Sequence, residues 1–145
     1  MRGGIAIVTL ALAACGAGSG EGLDQNGQPL SGGGGAPSGL QPTLASIQDN
    51  VFTVSCAVPG CHGGAGAQQG LRLDPRFSAG NLINVPSPRD SNLIRVVPGD
   101  PDASFLIQKL DGTQTLGDRM PDGGPYLTTA TVNVIRQWIQ DRAPQ

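Results

Sequence analysis

Apolar residues recur at helical spacing in three parts of the chain, all of them after residue 39. The first set is spaced by three or four residues: Leu40, Leu44, Ile47 and Val51. Pro42 suits the first turn of a helix, where a missing N–H costs nothing. We therefore predict a helix through these positions that leads directly into the segment beginning at Cys56.

A second helix is predicted after residue 99. The run Asp100-Pro101-Asp102 combines a capping side chain, a proline suited to the first helical position and an acid that complements the helix dipole. The residues expected to face inward are Phe105, Leu106 and Leu110. Gly112 is expected to end this helix.

The last helix is predicted to start with Thr128 as its cap and to end before Pro144. Its apolar stripe consists of Val132, Ile135, Trp138 and Ile139. Between the helices we expect only a short extended piece at 71–73 and one or two helical turns over 77–83, and no hairpin signal is present. The pattern predicts a mostly α domain over residues 40–145, with short helices and long ordered loops.

The part of the chain before this domain has a different composition. Twelve of the 23 glycines lie in the first 39 residues, whereas all five aromatic residues lie after them. Residues 15–39 are rich in Gly and Ser and are expected to form a flexible tether. Residues 1–14 contain an arginine and an apolar run over 5–12 that is too short to span a bilayer, so we expect a signal peptide.

The end of this leader, Leu12-Ala13-Ala14-Cys15, resembles the lipobox of bacterial lipoproteins. In that family the cysteine is lipidated and becomes the first residue after cleavage, which implies export and a membrane anchor at Cys15. An ordinary secretory signal would instead leave Cys15 as a free thiol. Gly16, rather than Asp, follows this cysteine. By resemblance to the sorting of enteric lipoproteins, this residue implies the outer membrane. The expected location is therefore periplasm-facing or at the surface, on the outer membrane of a Gram-negative bacterium.

The formal charge of the chain is −2 at pH 7, and its acidic and basic residues are interspersed. This distribution provides no basic surface for nucleic acid and no polybasic stretch for a membrane. The glycine-rich segment after His62 lacks the Gly-Lys-Ser/Thr ending of a phosphate loop. No Ser-His-Asp arrangement is present either, so the sequence gives no sign of hydrolytic chemistry.

The clearest chemical motif is Cys56-Ala57-Val58-Pro59-Gly60-Cys61-His62, which contains the only histidine of the chain. A cysteine pair that ends in Cys-His is the attachment signature of a c-type haem. Two thioether bonds hold the porphyrin, and the adjacent histidine binds the iron. The usual spacing has two residues between the cysteines, whereas this motif has four. Pro59-Gly60 provides a turn that can take up the extra length.

A disulfide between Cys56 and Cys61 is the main alternative for this pair. Outside the cytoplasm a cysteine pair is oxidised unless another group binds it, and two cysteines at this spacing can bridge. A zinc site is less well supported, because the chain has no second cluster of cysteine and histidine to complete it.

The iron of a c-type haem usually takes a second axial ligand. Because His62 is unique, a second histidine of the same chain is excluded, and Met120 is the only methionine after the leader. The segment Arg119-Met120-Pro121-Asp122-Gly123-Gly124-Pro125 predicts an irregular loop from which a thioether can face the iron opposite His62. An open or water-bound iron and ligation by Lys109 are alternatives, and so is a Met120 that only fills a gap in the core. Arg95 and Arg119 are each expected on a solvated face, with pairing to a haem propionate as the alternative.

These features resemble class I c-type cytochromes, in particular the single-haem domains of bacterial lipoproteins. The resemblance covers the whole predicted domain, including its leading helix and the closing helix with Trp138. Two further stretches similar to those domains are Val97-Pro98-Gly99-Asp100-Pro101-Asp102 and Met120-Pro121-Asp122-Gly123-Gly124-Pro125. The resemblance implies a cytochrome c-like fold whose first and last helices cross beside one covalent haem c. It also implies the roles of four residues: thioether sites at Cys56 and Cys61, a proximal ligand at His62 and a distal ligand at Met120.

The expected function is electron transfer by a lipid-anchored haem domain, which makes the protein a carrier rather than an enzyme. Its expected partners are redox proteins of the periplasm or the outer membrane. Two alternatives stay open. One is a structural or binding lipoprotein without haem, held by a Cys56–Cys61 disulfide, and the other is a haem enzyme or sensor with an open sixth iron position.

Overall fold

The structure, a computed structural model, describes residues 36–145. The leader, Cys15 and most of the tether lie outside the described residues. Residues 36–145 form four α-helices and one two-stranded sheet: α1 (Leu44–Ile47), α2 (Ser78–Leu82), β1 (Pro86–Ser87), β2 (Asp90–Ile94), α3 (Phe105–Asp111) and α4 (Thr129–Gln140). The prediction of a small, mostly helical domain is confirmed.

The first helix starts later and extends further than its apolar pattern predicts. Thr43 caps it, because its side chain accepts a hydrogen bond from the amide of Ser46 at 3.3 Å, so Pro42 lies before the helix. α1 continues into a π-helical segment, Gln48–Cys56. Cys56 is therefore the last residue of the helical segment instead of the first residue beyond it. π-Helical turns are rare and often occur at functional sites.

α3 begins about one turn later than predicted. The carboxylate of Asp100 accepts a hydrogen bond from the amide of Ala103 at 3.0 Å and so caps a separate turn. The helix itself starts after Ser104. Gly112 ends it in the left-handed conformation with φ of 82°, as predicted.

The expectation of no hairpin is wrong. β1 and β2 pair antiparallel, with Ser87 opposite Asp90 across a two-residue turn at Pro88 and Arg89. The strand β1 is only two residues long and has no apolar alternation, so the sequence carries no strand signal for it. The helical turns expected over 77–83 are present as α2. Residues 71–73 have no strand partner.

α4 supplies one wall of the core. Thr128 caps it as predicted, by accepting a hydrogen bond from the amide of Thr131 at 3.1 Å. The predicted apolar stripe is fully buried: Val132, Ile135, Trp138 and Ile139. This face packs in the same core as residues 47–52 of the first helical segment, and α4 also contacts α3. No helix within residues 36–145 is long and apolar enough to cross a membrane.

Candidate functional site

A tight turn occupies the four positions between the two cysteines. The amide of Cys61 donates to the carbonyl of Val58 at 3.1 Å. Gly60 has a φ of 84°, and Pro59 precedes it. A proline followed by a residue with positive φ is typical of a type II turn. The turn predicted at Pro59-Gly60 is confirmed.

The motif is closed by short backbone contacts. The amide of His62 donates to the carbonyl of Cys56 at 3.0 Å, so the residue after the second cysteine returns to the first. Gly63 then passes so close to the loop that a Cβ at this position would lie 2.5 Å from the carbonyl oxygen of Ala57. The thiols of Cys56 and Cys61 are both free.

The two thiols differ in their surroundings. Cys61 is exposed, whereas Cys56 is partly buried and packs against the hydrophobic core. Burial raises the pKa of the Cys56 thiol to about 11, and the neighbouring Cys61 adds to the rise. The Cys56 thiol is therefore protonated at neutral pH.

The imidazole of His62 is oriented by the backbone. Its Nδ1 lies 3.1 Å from the carbonyl oxygen of Leu71. Because a carbonyl only accepts, Nδ1 carries the hydrogen of this contact, and Nε2 has the lone pair that can bind a metal. Burial lowers the pKa of His62, while the hydrogen bond to Leu71 opposes that effect. The charge of Arg95 also lowers the pKa, so the neutral form that binds metals is favoured.

The four residues expected to hold a haem line one cavity. Cys56, Cys61, His62 and Met120 lie in the wall of a cavity of about 450 Å³. This volume falls in the range of roughly 300–1,000 Å³ that is typical of small-molecule sites. The apolar part of the wall includes Leu71, Leu73, Leu82, Phe105, Leu106, Leu110 and Leu116. The fold therefore brings Met120 to the same cavity as the cysteine–histidine motif.

A second depression lies beside the β1–β2 turn. Its volume is about 710 Å³, and it is lined by residues 86–91, Thr115 and Leu116. It is shallow and open to solvent, and its lining does not include Cys56, Cys61, His62 or Met120. The smaller cavity is therefore the one with the relevant chemistry.

Met120 is held at the cavity by the end of α3. Its amide donates to the carbonyl of Lys109 at 2.8 Å, and its side chain is partly buried against the core. The ammonium of Lys109 donates to the carbonyls of Leu116 at 2.6 Å and Asp118 at 2.9 Å. The sequence left Lys109 open as an alternative iron ligand. In the structure its Nζ instead binds the loop that carries Met120.

Arg95 is not on a solvated face, which corrects the expectation from the sequence. The residue is only 8% exposed and lies in the cavity wall. Its guanidinium donates to the carbonyls of Asn81 and Gln69, each at 2.8 Å. None of the ion pairs formed within residues 36–145 involves it. A buried charge without an opposite charge is costly, so this wall of the cavity suits a ligand that carries a carboxylate.

Gln48 is a structural residue of the site that the sequence did not indicate. It is buried, and its Nε2 donates to the carbonyl of Leu73 at 2.9 Å. Its Oε1 accepts a hydrogen bond from the hydroxyl of Ser78 at 2.6 Å. These bonds tie the helix that ends at Cys56 to the segment following His62. An apolar periodicity gives no signal for such a residue, because its role depends on partners distant in the sequence.

The side chains of the cavity that can bind a metal are two thiols, one imidazole and one thioether, together with the carboxylates of Asp118 and Asp122. Within the described part of the chain, no three His, Cys, Asp or Glu side chains cluster so as to hold a metal ion by themselves. No family model matches the chain, and no curated protein or solved structure matches it.

Proposed function

We propose that this protein transfers electrons through one covalently bound haem, as class I c-type cytochromes do, in an exported domain anchored by a lipid on Cys15. One observation carries the proposal. Cys56, Cys61 and His62 belong to one short motif and Met120 to a loop far along the chain, yet all four line the same cavity. A covalent haem uses two thiols and a histidine of this kind, and a thioether is one of the ligands that can complete its iron.

The chemistry of the donors supports a haem. Two thiols five positions apart are available for thioether bonds to the two vinyl groups. The Nδ1 contact of His62 with Leu71 leaves Nε2 as the ligating nitrogen. When bound, the haem supplies an iron that alternates between the ferric and ferrous states. The protein supplies the ligands, an apolar wall and a fixed orientation.

The charges of the cavity support the same ligand. A haem carries two propionate carboxylates, which need hydrogen-bond donors or cations where they are buried. Arg95 offers a buried guanidinium, and the cavity is also lined by the cations Arg89 and Lys109 and by the carboxylates of Asp118 and Asp122. The cavity is largely apolar and has a buried cation in its wall. A haem, which is an apolar macrocycle with two anionic propionates, matches both properties.

Met120 favours electron transfer over catalysis. If Met120 bound the iron of the haem, its thioether would raise the reduction potential and keep small substrates from the metal. A lipid anchor at Cys15 would keep the domain close to redox partners in the periplasm or at the outer membrane. The proposed partners are therefore other exported redox proteins.

The decisive experiment is expression of the full chain with a c-type maturation system, followed by a denaturing gel stained for haem peroxidase activity. Covalent haem survives denaturation, so the wild-type band should stain and its intact mass should increase by one haem. The Cys56→Ser/Cys61→Ser variant should lose the stain. Cys15→Ser is the matched control, because it should lose the lipid label and keep the haem.

Two results would contradict the proposal. An unstained band from properly matured protein, with a mass lower by two hydrogens, would identify the Cys56–Cys61 disulfide and a lipoprotein without haem. A stained protein whose ferrous form binds carbon monoxide as fast as Met120→Ala would show an open sixth position, as in a haem enzyme or sensor. The absorption of the pyridine haemochrome separates two thioether bonds from one.

A further inference from the structure

The loop that carries Met120 is tied to the last turn of α3 by both backbone and side-chain contacts. Lys109 contributes three of them: its carbonyl accepts from Met120, and its ammonium donates to Leu116 and Asp118. The guanidinium of Arg119 adds a hydrogen bond to the carbonyl of Leu110 at 2.9 Å. The position of Met120 therefore depends on groups at the end of this helix.

The ammonium of Lys109 fits closely into the turn that it holds. It bonds the carbonyls on both sides of Gly117, and a Cβ at Gly117 would lie 2.9 Å from its Nζ. Gly117 has a φ of 70°, which glycine adopts without strain. The turn thus combines a glycine with two carbonyls that converge on one cation.

Lys109 binds this loop through its ammonium and pairs with no carboxylate of residues 36–145. It is the only lysine in the chain. Its Nζ lies 5.2 Å from the centroid of the Phe105 ring. An ammonium has three donors, and here two of them serve the loop. Without it, the carbonyls of Leu116 and Asp118 lose a charged partner.

We propose that Lys109 is a positioning residue that holds the Met120 loop against the cavity and so determines how firmly Met120 binds the haem iron. The inference rests on the proposed function. Hydrogen bonds to a charged group are worth about 1.5–3 kcal/mol each, and about 1.4 kcal/mol is a factor of ten in an equilibrium constant. Removing the ammonium should therefore raise the population of the open loop at least ~tenfold.

The test compares the haem-loaded full chain as wild type, Lys109→Ala, Lys109→Arg and Arg136→Gln. Arg136 is a matched control, because it is a cation that pairs with Asp102 and Asp111 and has no bond to the Met120 loop. Three quantities are measured: the charge-transfer absorption of the thioether–ferric bond, the rate of carbon monoxide binding to the ferrous protein and hydrogen exchange of the Met120 amide.

We expect Lys109→Ala to weaken the charge-transfer absorption and to raise both rates at least ~tenfold, since both depend on loop opening. Lys109→Arg should restore most of the wild-type behaviour, because a guanidinium can also donate to both carbonyls. Arg136→Gln should change neither rate by more than ~twofold. If Lys109→Ala does not accumulate, Lys109→Gln provides the same comparison with an uncharged side chain.

Wild-type absorption and rates in Lys109→Ala or Lys109→Gln would overturn the inference and leave the haem function intact. Equal carbon monoxide rates in the wild type and Met120→Ala would also overturn it, since there would be no Met120 bond to secure. An unstained wild-type band in the haem gel would instead show that the proposed function itself is wrong.

Discussion

Gly63 lies so close to Ala57 that a Cβ on Gly63 would be 2.5 Å from the Ala57 carbonyl oxygen and 2.8 Å from its carbonyl carbon. Both obstacles are backbone atoms, so no rotamer change can relieve the contact. The residue after His62 is therefore packed directly on the turn between the two cysteines. The shape of the loop between Cys56 and His62 depends on this approach.

Gly63→Ala should destabilise the protein by roughly 1–3 kcal/mol, because the backbone of the loop must move to make room. The displaced loop should also lower the yield of covalent haem. Denaturant unfolding and the intensity of the haem stain measure the two effects. Gly66→Ala is the matched control: it lies in the same segment, and a Cβ there meets nothing within 4 Å. Equal stability of the two variants would contradict the prediction.

Gln48→Ala should destabilise the protein by about 2 kcal/mol, because it leaves the carbonyl of Leu73 and the hydroxyl of Ser78 without their partner. Ser78→Ala should cost less, since Gln48 keeps its bond to Leu73. In the double variant the two effects should not add, and a coupling of roughly 0.5–3 kcal/mol is expected. Denaturant unfolding of the four proteins completes the cycle. Strict additivity would mean that the buried pair is not coupled.

Alkylation should distinguish the two motif cysteines in the haem-free chain. Burial raises the pKa of Cys56 to about 11, so only about one molecule in a thousand has a Cys56 thiolate at pH 8. Cys61 is exposed and should react first with iodoacetamide. The reaction of Cys56 should still accelerate up to about pH 11. Mass spectrometry of digests from a Cys15→Ser chain measures both sites, and equal rates at pH 8 would refute the difference.

Arg95→Leu should lower the reduction potential of the haem-loaded protein. The ferrous iron carries one positive charge less than the ferric iron, so a nearby buried cation favours the reduced state. A decrease of roughly 30–60 mV is expected, since 59 mV corresponds to about 1.4 kcal/mol for one electron. Redox titration measures it. Arg95→Lys should recover part of the decrease, and the surface variant Arg136→Gln should show none. A potential unchanged in Arg95→Leu would place its charge away from the haem.

The features that the sequence predicted correctly are those formed by neighbours in the chain. The turn at Pro59-Gly60, the cap at Thr128 and the end of α3 at Gly112 depend on contacts within a few residues. The apolar stripe of α4 follows from helical periodicity alone. The late start of α3 shows the limit of such signals, because Asp100 and Ser104 are both suitable caps and only one begins the helix.

The candidate site also combines features that the sequence predicts with features that depend on tertiary packing. By itself the sequence provided four candidate donor residues, Cys56, Cys61, His62 and Met120, because the chemistry that a side chain offers is a property of residue type and spacing. Only the tertiary structure placed Met120 in the cavity of the motif, because that juxtaposition depends on how α3 and the loop after it pack.

The burial of Arg95 and the bonds of Lys109 to the Met120 loop were also decided by the tertiary structure alone. From a local sequence pattern, a charged residue is predicted to be exposed to solvent, since charged side chains are seldom buried. Whether such a residue is exposed or holds a site depends on which distant carbonyls the fold brings to it. For these two residues, the fold supplies carbonyl acceptors that the linear sequence does not show.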